Sequence, residues 1–117
     1  MILAVLDDLM FSSKIRTAAA AVGTTVEFAR SSAAALEKMR ERPPTLVIFD
    51  LNCQRTDPLG TLAAMKQDAA LASMPTVGFV SHVQTDLIAA ARQAGMDEVL
   101  ARSAFTTQLG EILSRQR

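Results

Sequence analysis

Aromatic side chains are scarce in this sequence. It contains no tryptophan or tyrosine and only five phenylalanines, whereas proteins that hold single-stranded nucleic acid commonly stack bases on aromatic rings. Twelve basic residues balance twelve acidic ones, so the formal net charge is zero. A neutral chain has no long-range attraction to nucleic acid or to an anionic membrane. We therefore expect this chain to bind neither.

Cysteine is almost absent, because Cys53 is the only one. A disulfide within the chain is thus impossible, and a reducing compartment fits this composition. Residues 1–6 are apolar, but the run ends at Asp7, lacks a basic leader and is too short for a signal peptide or a membrane span. These features predict a cytoplasmic protein.

The length is sufficient for one domain. A chain of 117 residues can bury roughly two-thirds of its unfolded surface without help from disulfides or structural metals. Hydrophobic residues make up 50% and charged residues 21%, which is typical of a folded protein. We expect a single domain over residues 1–117 with no output domain.

The apolar pattern alternates between two kinds of segment. Short, continuously apolar runs are typical of strands that are buried on both faces, and they occur at residues 2–6, 25–29, 46–49, 77–80 and 99–101. Between and after them, apolar residues recur at helical spacing. Five helical stripes are visible: Ile15, Ala18, Ala19 and Val22; Leu36 and Met39; Leu62 and Met65; Leu87, Ala90, Ala91 and Ala94; and Leu109, Ile112 and Leu113.

Capping and breaking residues support these boundaries. Ser, Thr and Asp favour helix N-caps, proline suits the first turn, and glycine often follows a helix. We predict N-caps at Ser31 or Ser32, at Asp57 before Pro58, and at Thr85, with helix ends at Gly23, at Gly95 and before Pro43-Pro44.

Strict alternation of five strands and five helices predicts an α/β fold. Strands joined by crossover helices run parallel, and a parallel sheet covered on both faces is doubly wound, here with the predicted strand order 2-1-3-4-5. Ligands of such sheets bind beyond the carboxyl ends of the strands, where the strand order reverses.

Acidic residues follow two strands that this order makes neighbours. Asp7 and Asp8 come after the first strand and Asp50 after the third, so we expect them to converge. Three close carboxylates repel one another unless a cation balances them, and Mg²⁺ prefers such oxygen ligands. A carboxylate beside the metal can accept a phosphoryl group. The alternative is that these aspartates only cap helices and turns.

These residues give the chain a family resemblance. The pair Asp7-Asp8, the segment LVIFDLN at residues 46–52, Ser81 after the fourth strand and the stretch from Gly95 to Arg102 resemble the receiver domain of two-component response regulators, which has a CheY-like, flavodoxin-like fold. The resemblance covers essentially the whole chain. No single motif is specific, and the resemblance depends on their order and spacing together.

The resemblance implies a role for each matching position. Asp50 is then the phosphoacceptor and also a metal ligand, Asp8 the direct Mg²⁺ ligand, and Asp7 either a ligand through water or an assisting group. The backbone carbonyl of Asn52 supplies a further metal ligand. The hydroxyl of Ser81 is expected to hydrogen-bond the phosphoryl group.

Several positions depart from the family pattern, including the three that follow. The lysine after the fifth strand is replaced by Arg102, which keeps the charge but has a different shape. The small residue after Ser81 is replaced by His82, the only histidine, which could modulate the site. The aromatic switch residue of the fifth strand is replaced by Val99, which has no ring to flip.

Three functions are compatible with the fold. The first is a receiver that accepts a phosphoryl group on Asp50 from a sensor histidine kinase or a phosphotransfer protein and then alters its binding to a downstream partner. The second is a pseudo-receiver, an interaction module that works without phosphorylation, which Arg102, His82 and Val99 favour. The third is a nucleotide or flavin enzyme, which the sequence disfavours because it contains no glycine-rich phosphate-binding loop.

The receiver hypothesis carries further expectations. We expect no turnover enzyme, only autocatalytic acceptance and loss of the phosphoryl group, with Mg²⁺ as cofactor. The resemblance also implies a possible homodimer through the face formed by helix 4, strand 5 and helix 5.

Overall fold

A five-stranded, fully parallel sheet forms the centre of the fold in the computed structural model, which describes residues 1–81 and 84–115. The strand order is β2-β1-β3-β4-β5, which confirms the predicted order. The strands are β1 Ile2–Val5, β2 Val26–Ala29, β3 Leu46–Asp50, β4 Thr76–Val80 and β5 Glu98–Ala101. All lie within one residue of the predicted bounds.

Six helices, rather than the predicted five, are found in the described part of the chain. They are α1 Leu9–Ala21, α2 Ser32–Glu41, α3 Pro58–Gln67, α4 Thr85–Gln93, α5 Arg102–Thr107 and α6 Leu109–Ser114. The stripe at Leu109, Ile112 and Leu113 predicts only α6. The additional helix α5 begins directly at the end of β5, and Gln108 separates it from α6. None of these helices is long and apolar enough to cross a membrane.

Most predicted helix boundaries are confirmed. Ser31, not Ser32, caps α2 by accepting a hydrogen bond from the backbone N–H of Ala34, and Asp57 caps α3. Gly23 and Gly95 adopt positive φ angles of 70° and 104°, which glycine tolerates without strain.

The predicted cap at Thr85 is wrong. Gln84 occupies the N-cap of α4, and Thr85 is the first residue of the helix. Gln84 makes no capping hydrogen bond with its side chain, which leaves that side chain free to bond elsewhere.

Hydrophobic cores lie on both faces of the sheet. Helices α1, α5 and α6 pack on one face and α2, α3 and α4 on the other. The inner strands β1, β3 and β4 are buried throughout, as predicted, but β2 and β5 are only partly buried. These two are the edge strands of the sheet, so each lacks a neighbouring strand on one side.

Candidate functional site

Most of the predicted site residues lie at one edge of the sheet. Because the strands are parallel, their carboxyl ends meet there. Asp7 and Asp8 follow β1, Asp50 ends β3, Ser81 follows β4 and Arg102 follows β5. The topology therefore brings these residues to the same edge, as the sequence predicts.

Asp50 is the most buried charged residue at this edge, with 8% of its surface exposed. One of its carboxylate oxygens, Oδ1, accepts a hydrogen bond from the backbone N–H of Asn52 at 3.0 Å. Burial raises the pKa of Asp50 above its ordinary value of 3.8, while Asn52 and the charge of Arg102 oppose that rise. The charges of Asp8 and Asp7 raise the pKa of Asp50 further, so the site carries excess negative charge.

Asp8 does two things at once. Its Oδ1 accepts a hydrogen bond from the backbone N–H of Phe11 at 3.0 Å, which caps α1, and its Oδ2 lies 3.1 Å from Nη2 of Arg102. The hydrogen bond from Phe11 and the Arg102 guanidinium hold the pKa of Asp8 below its ordinary value. The capping interpretation of this aspartate is therefore correct, and it leaves a metal role open.

Asp7 faces two other partners. Its Oδ1 accepts a hydrogen bond from Sγ of Cys53 at 3.2 Å, and its Oδ2 lies 3.7 Å from Nε of Arg55. Cys53 is buried. The sequence offers no signal for either contact, because both partners come from the loop between β3 and α3.

Arg102 is held by aromatic rings as well as by Asp8. Its guanidinium carbon lies 4.2 Å from the ring centroid of Phe11 and 5.9 Å from that of Phe79, within the range of a cation–π interaction. Phe79 also stacks on Phe105 at 4.6 Å between centroids. A planar guanidinium suits this stacking better than an ammonium does, which gives a physical reason for arginine here.

The Asn52 side chain joins two loops of the site. Its Oδ1 accepts a hydrogen bond from the backbone N–H of Ser81 at 2.6 Å, and its Nδ2 donates to Oε1 of Gln84 at 2.6 Å. The resemblance assigns only the backbone carbonyl of Asn52 to the site. Sequence analysis missed these side-chain contacts and Gln84 altogether.

A cavity of about 660 Å³ opens at this edge. Asp8, Ser81 and Arg102 line it together with residues of α1 and α5. It therefore presents a carboxylate, a hydroxyl and a guanidinium to one volume, whereas Asp50 is not among the residues that line it.

The oxygen ligands fit a hard cation by their chemistry, but they are not assembled as a cluster. Within residues 1–81 and 84–115, no group of three or more His, Cys, Asp or Glu side chains is arranged to hold a metal ion. Asp7 and Asp8 are instead turned toward Arg55 and Arg102. A bound Mg²⁺ would be held by Asp7, Asp8, Asp50 and the Asn52 carbonyl. Asp8 would then either contact both Mg²⁺ and Arg102 or lose its contact with Arg102.

The modulator roles predicted for Val99 and His82 both stay predictions, and only Val99 lies within the described residues. Val99 lies on β5 and is 7% exposed, packed in the core cluster that includes Ala91 of α4. His82 lies outside the described residues, so its proposed role stays a prediction.

The family model of the response regulator receiver domain matches residues 2–114. Comparison with curated protein sequences gave no significant match.

Solved structures with this fold include several response regulators. The chemotaxis response regulator CheY4 of Vibrio cholerae has a TM-score of 0.85 at 18% identity, with 99% of this chain and 97% of that one covered. The Mn²⁺-bound form of the response regulator Rcp1 has a TM-score of 0.79 at 21% identity, with 97% and 88% covered. The phosphorylated cyanobacterial phytochrome response regulator RcpA has a TM-score of 0.77 at 23% identity, with 97% and 89% covered.

At these identities the structural likeness speaks for the fold alone. The family match covers nearly the whole chain and agrees with the carboxylates, hydroxyl and guanidinium found at the carboxyl edge of the sheet. The chain belongs to the response regulator receiver domain family.

Proposed function

We propose that this domain accepts a phosphoryl group on Asp50 from a sensor histidine kinase or a phosphotransfer protein. A P–N bond of the donor phosphohistidine breaks, and a new P–O bond forms to an Asp50 carboxylate oxygen. The imidazole nitrogen leaves with the bonding electron pair. The product is an acyl phosphate, and the domain is not a turnover enzyme.

The position of Asp50 carries this proposal. It lies at the switch point of the sheet and is almost buried. Among the described side-chain hydrogen bonds, the only one to Asp50 runs from the Asn52 N–H to Oδ1. Oδ2 is therefore the oxygen that acts as the nucleophile. Asp8, Ser81 and Arg102 line one cavity at the same edge. The hydroxyl of Ser81 and the guanidinium of Arg102 supply the donors that a phosphoryl group needs.

The proposed cofactor is Mg²⁺. When bound, a divalent cation neutralises charge on the phosphoryl group during transfer. Burial raises the pKa of Asp50, and the charges of Asp8 and Asp7 add to that rise; a divalent cation would offset this negative charge. Two structural relatives are described as Mn²⁺-bound and as phosphorylated, respectively, which supports the proposal by analogy.

The proposed output is altered binding to a downstream protein, in the cytoplasm where kinase domains act. Phosphorylation shifts the population between two surface states of a receiver. A homodimer through α4, β5 and α6, the helix that the fifth apolar stripe predicts, remains part of this proposal.

Intact mass measurement tests the proposal. The protein is incubated with acetyl phosphate and Mg²⁺, and one added phosphoryl group is expected. Asp50→Asn should abolish the adduct, and so should removal of Mg²⁺. Asp57→Asn is the matched control, because Asp57 lies in the same loop and asparagine preserves its cap at φ 45°. An adduct that survives in Asp50→Asn would contradict the proposal.

The second candidate function is a pseudo-receiver, and the Arg102–Asp8 ion pair favours it. With Nη2 of Arg102 at 3.1 Å from Asp8 Oδ2, the predicted metal ligand already has a positive partner. A folded protein that forms no adduct and binds no Mg²⁺ would establish this alternative over phosphoryl acceptance.

A further inference from the structure

We infer that the Asn52 side chain and Gln84 form a latch that transmits the state of Asp50 to helix α4. This inference rests on the proposed function. It assigns to two side chains a positioning role, since neither of them exchanges the phosphoryl group. The latch is an alternative to a moving aromatic ring on β5, which Val99 cannot provide.

The usual requirement for an aromatic switch is a ring that moves between buried and exposed positions. Val99 is 7% exposed and sits in the core against α4. An aliphatic side chain in a close-packed core has little freedom to change position. A signal from Asp50 to α4 therefore needs another path.

A continuous path of hydrogen bonds leads from Asp50 to α4. The Asn52 N–H donates to Oδ1 of Asp50 at 3.0 Å, and the Asn52 Nδ2 group donates to Oε1 of Gln84 at 2.6 Å. The carbonyl of Gln84 then accepts from the N–H of Ile88 at 3.0 Å, within the first turn of the helix. One residue thus contacts the phosphoacceptor and the N-cap of α4.

The same side chain also holds Ser81. The Ser81 N–H donates to Oδ1 of Asn52 at 2.6 Å, so Ser81 and Gln84 are both bonded to one amide group. The Asn52 amide therefore couples the position of Ser81 to that of Gln84.

Phosphorylation would act on this latch at both ends. An acyl phosphate formed through Oδ2 leaves Oδ1 as an uncharged carbonyl, which weakens the hydrogen bond from the Asn52 N–H. The phosphoryl oxygens draw the Ser81 hydroxyl toward them. Asn52 then carries the displacement of Ser81 to Gln84 and to the first turn of α4.

Helix α4 is placed to respond. Its residues Leu87 and Ile88 are only partly buried against the core, and Ala91 is its one fully buried side chain. A helix anchored by so small a side chain shifts at lower cost than one anchored by several large ones. A single neutral hydrogen bond changes a two-state equilibrium by a factor of about five.

Hydrogen exchange of the α4 amides, measured with and without acetyl phosphate and Mg²⁺, tests the latch. The intact mass of each sample reports phosphorylation separately. We expect the wild type to change its exchange in the first turn of α4 on phosphorylation. Gln84→Ala should form the same adduct but show a response about five-fold smaller.

Two further variants make the result specific. Gln84→Glu keeps an oxygen that accepts from the Asn52 Nδ2 group, so it should restore the response. Gln93→Ala makes the same truncation at an exposed position near the other end of α4 and should behave like the wild type.

The outcomes separate the two proposals. Absence of an adduct on the wild type overturns the proposed function and the latch with it. An adduct without any change in α4, an undiminished response in Gln84→Ala, or an equal loss in Gln93→Ala overturns the latch and leaves phosphoryl acceptance standing.

Discussion

Asp50 and Asp8 lie at the same edge of the sheet, but the fold treats their charges in opposite ways. Burial raises the pKa of Asp50 above its ordinary value, so the folded protein disfavours its ionised form. The hydrogen bond from Phe11 and the Arg102 guanidinium lower the pKa of Asp8, so its ionised form is favoured. A carboxylate that burial disfavours in its ionised form lowers the stability of the folded protein at neutral pH.

Replacement of Asp50 by asparagine is expected to stabilise the protein at neutral pH. The folded protein binds the Asp50 proton more tightly than the unfolded chain does, so the free energy of unfolding falls as the pH rises from 3.8 through the raised pKa. Asparagine carries no charge and keeps an oxygen for the Asn52 N–H. Urea unfolding at pH 7 should show the variant to be more stable, with a gap that narrows in acid.

Asp8→Ala is the matched control for that experiment and should have the opposite effect. It removes the cap of α1, which costs about 1 kcal/mol, and breaks the contact with Arg102. Equal or lower stability of Asp50→Asn at pH 7 would show that burial of this carboxylate costs nothing.

The Arg102–Asp8 contact predicts a measurable effect on metal affinity. A cation at Asp8 competes with the guanidinium, and an ion pair of this exposure contributes up to about 1 kcal/mol. Arg102→Ala should therefore raise the affinity for Mg²⁺ by about two- to five-fold in isothermal titration calorimetry. Arg92→Ala, near the far end of α4, should leave it unchanged. Weaker binding in Arg102→Ala would mean that the arginine supports the metal site.

At the scale of elements, a side-chain clip fastens β4 to the turn before β5. The hydroxyl of Thr76 donates to Oδ2 of Asp97 and accepts from the Asp97 N–H, while the Thr76 N–H also donates to Oδ2. Thr76 is fully buried. These bonds position the start of β4, at the end of the sheet opposite the site.

Thr76→Val is expected to lower the free energy of unfolding by about 1–3 kcal/mol. Valine fills the same volume, but the Asp97 N–H loses its acceptor in a partly buried place. Thermal or urea unfolding measures the loss. Thr107→Val, which removes an exposed hydroxyl bonded to the Ser103 carbonyl, should change stability by less than about 0.5 kcal/mol. Similar losses of stability in both variants would show that the Thr76–Asp97 hydrogen bonds contribute no more than an exposed one.

At the scale of the whole molecule, alternation of short apolar runs with helical stripes predicts the parallel sheet, and the usual arrangement of doubly wound sheets predicts its strand order. Glycine and proline positions located most helix ends, because their backbone restrictions act locally. The split of the last helix was missed, since α5 buries Phe105 alone and so has no stripe.

The site could be predicted only in part. The sequence alone places Asp7, Asp8 and Asp50 at one edge of the sheet, because the apolar pattern shows where each strand ends. The partners of Asp7 and Asp8, the rings beneath Arg102 and the Asn52–Gln84 contact depend on side-chain directions across the fold. No periodicity in the sequence encodes those directions.

Locating the phosphoryl group on the chain is the most direct test of the central claim. Borohydride reduces an aspartyl phosphate to homoserine, which peptide mass spectrometry identifies by position. After incubation with acetyl phosphate and Mg²⁺, the account predicts homoserine at position 50 and aspartate at positions 7, 8 and 57. An unchanged Asp50, or homoserine at another position, would contradict it.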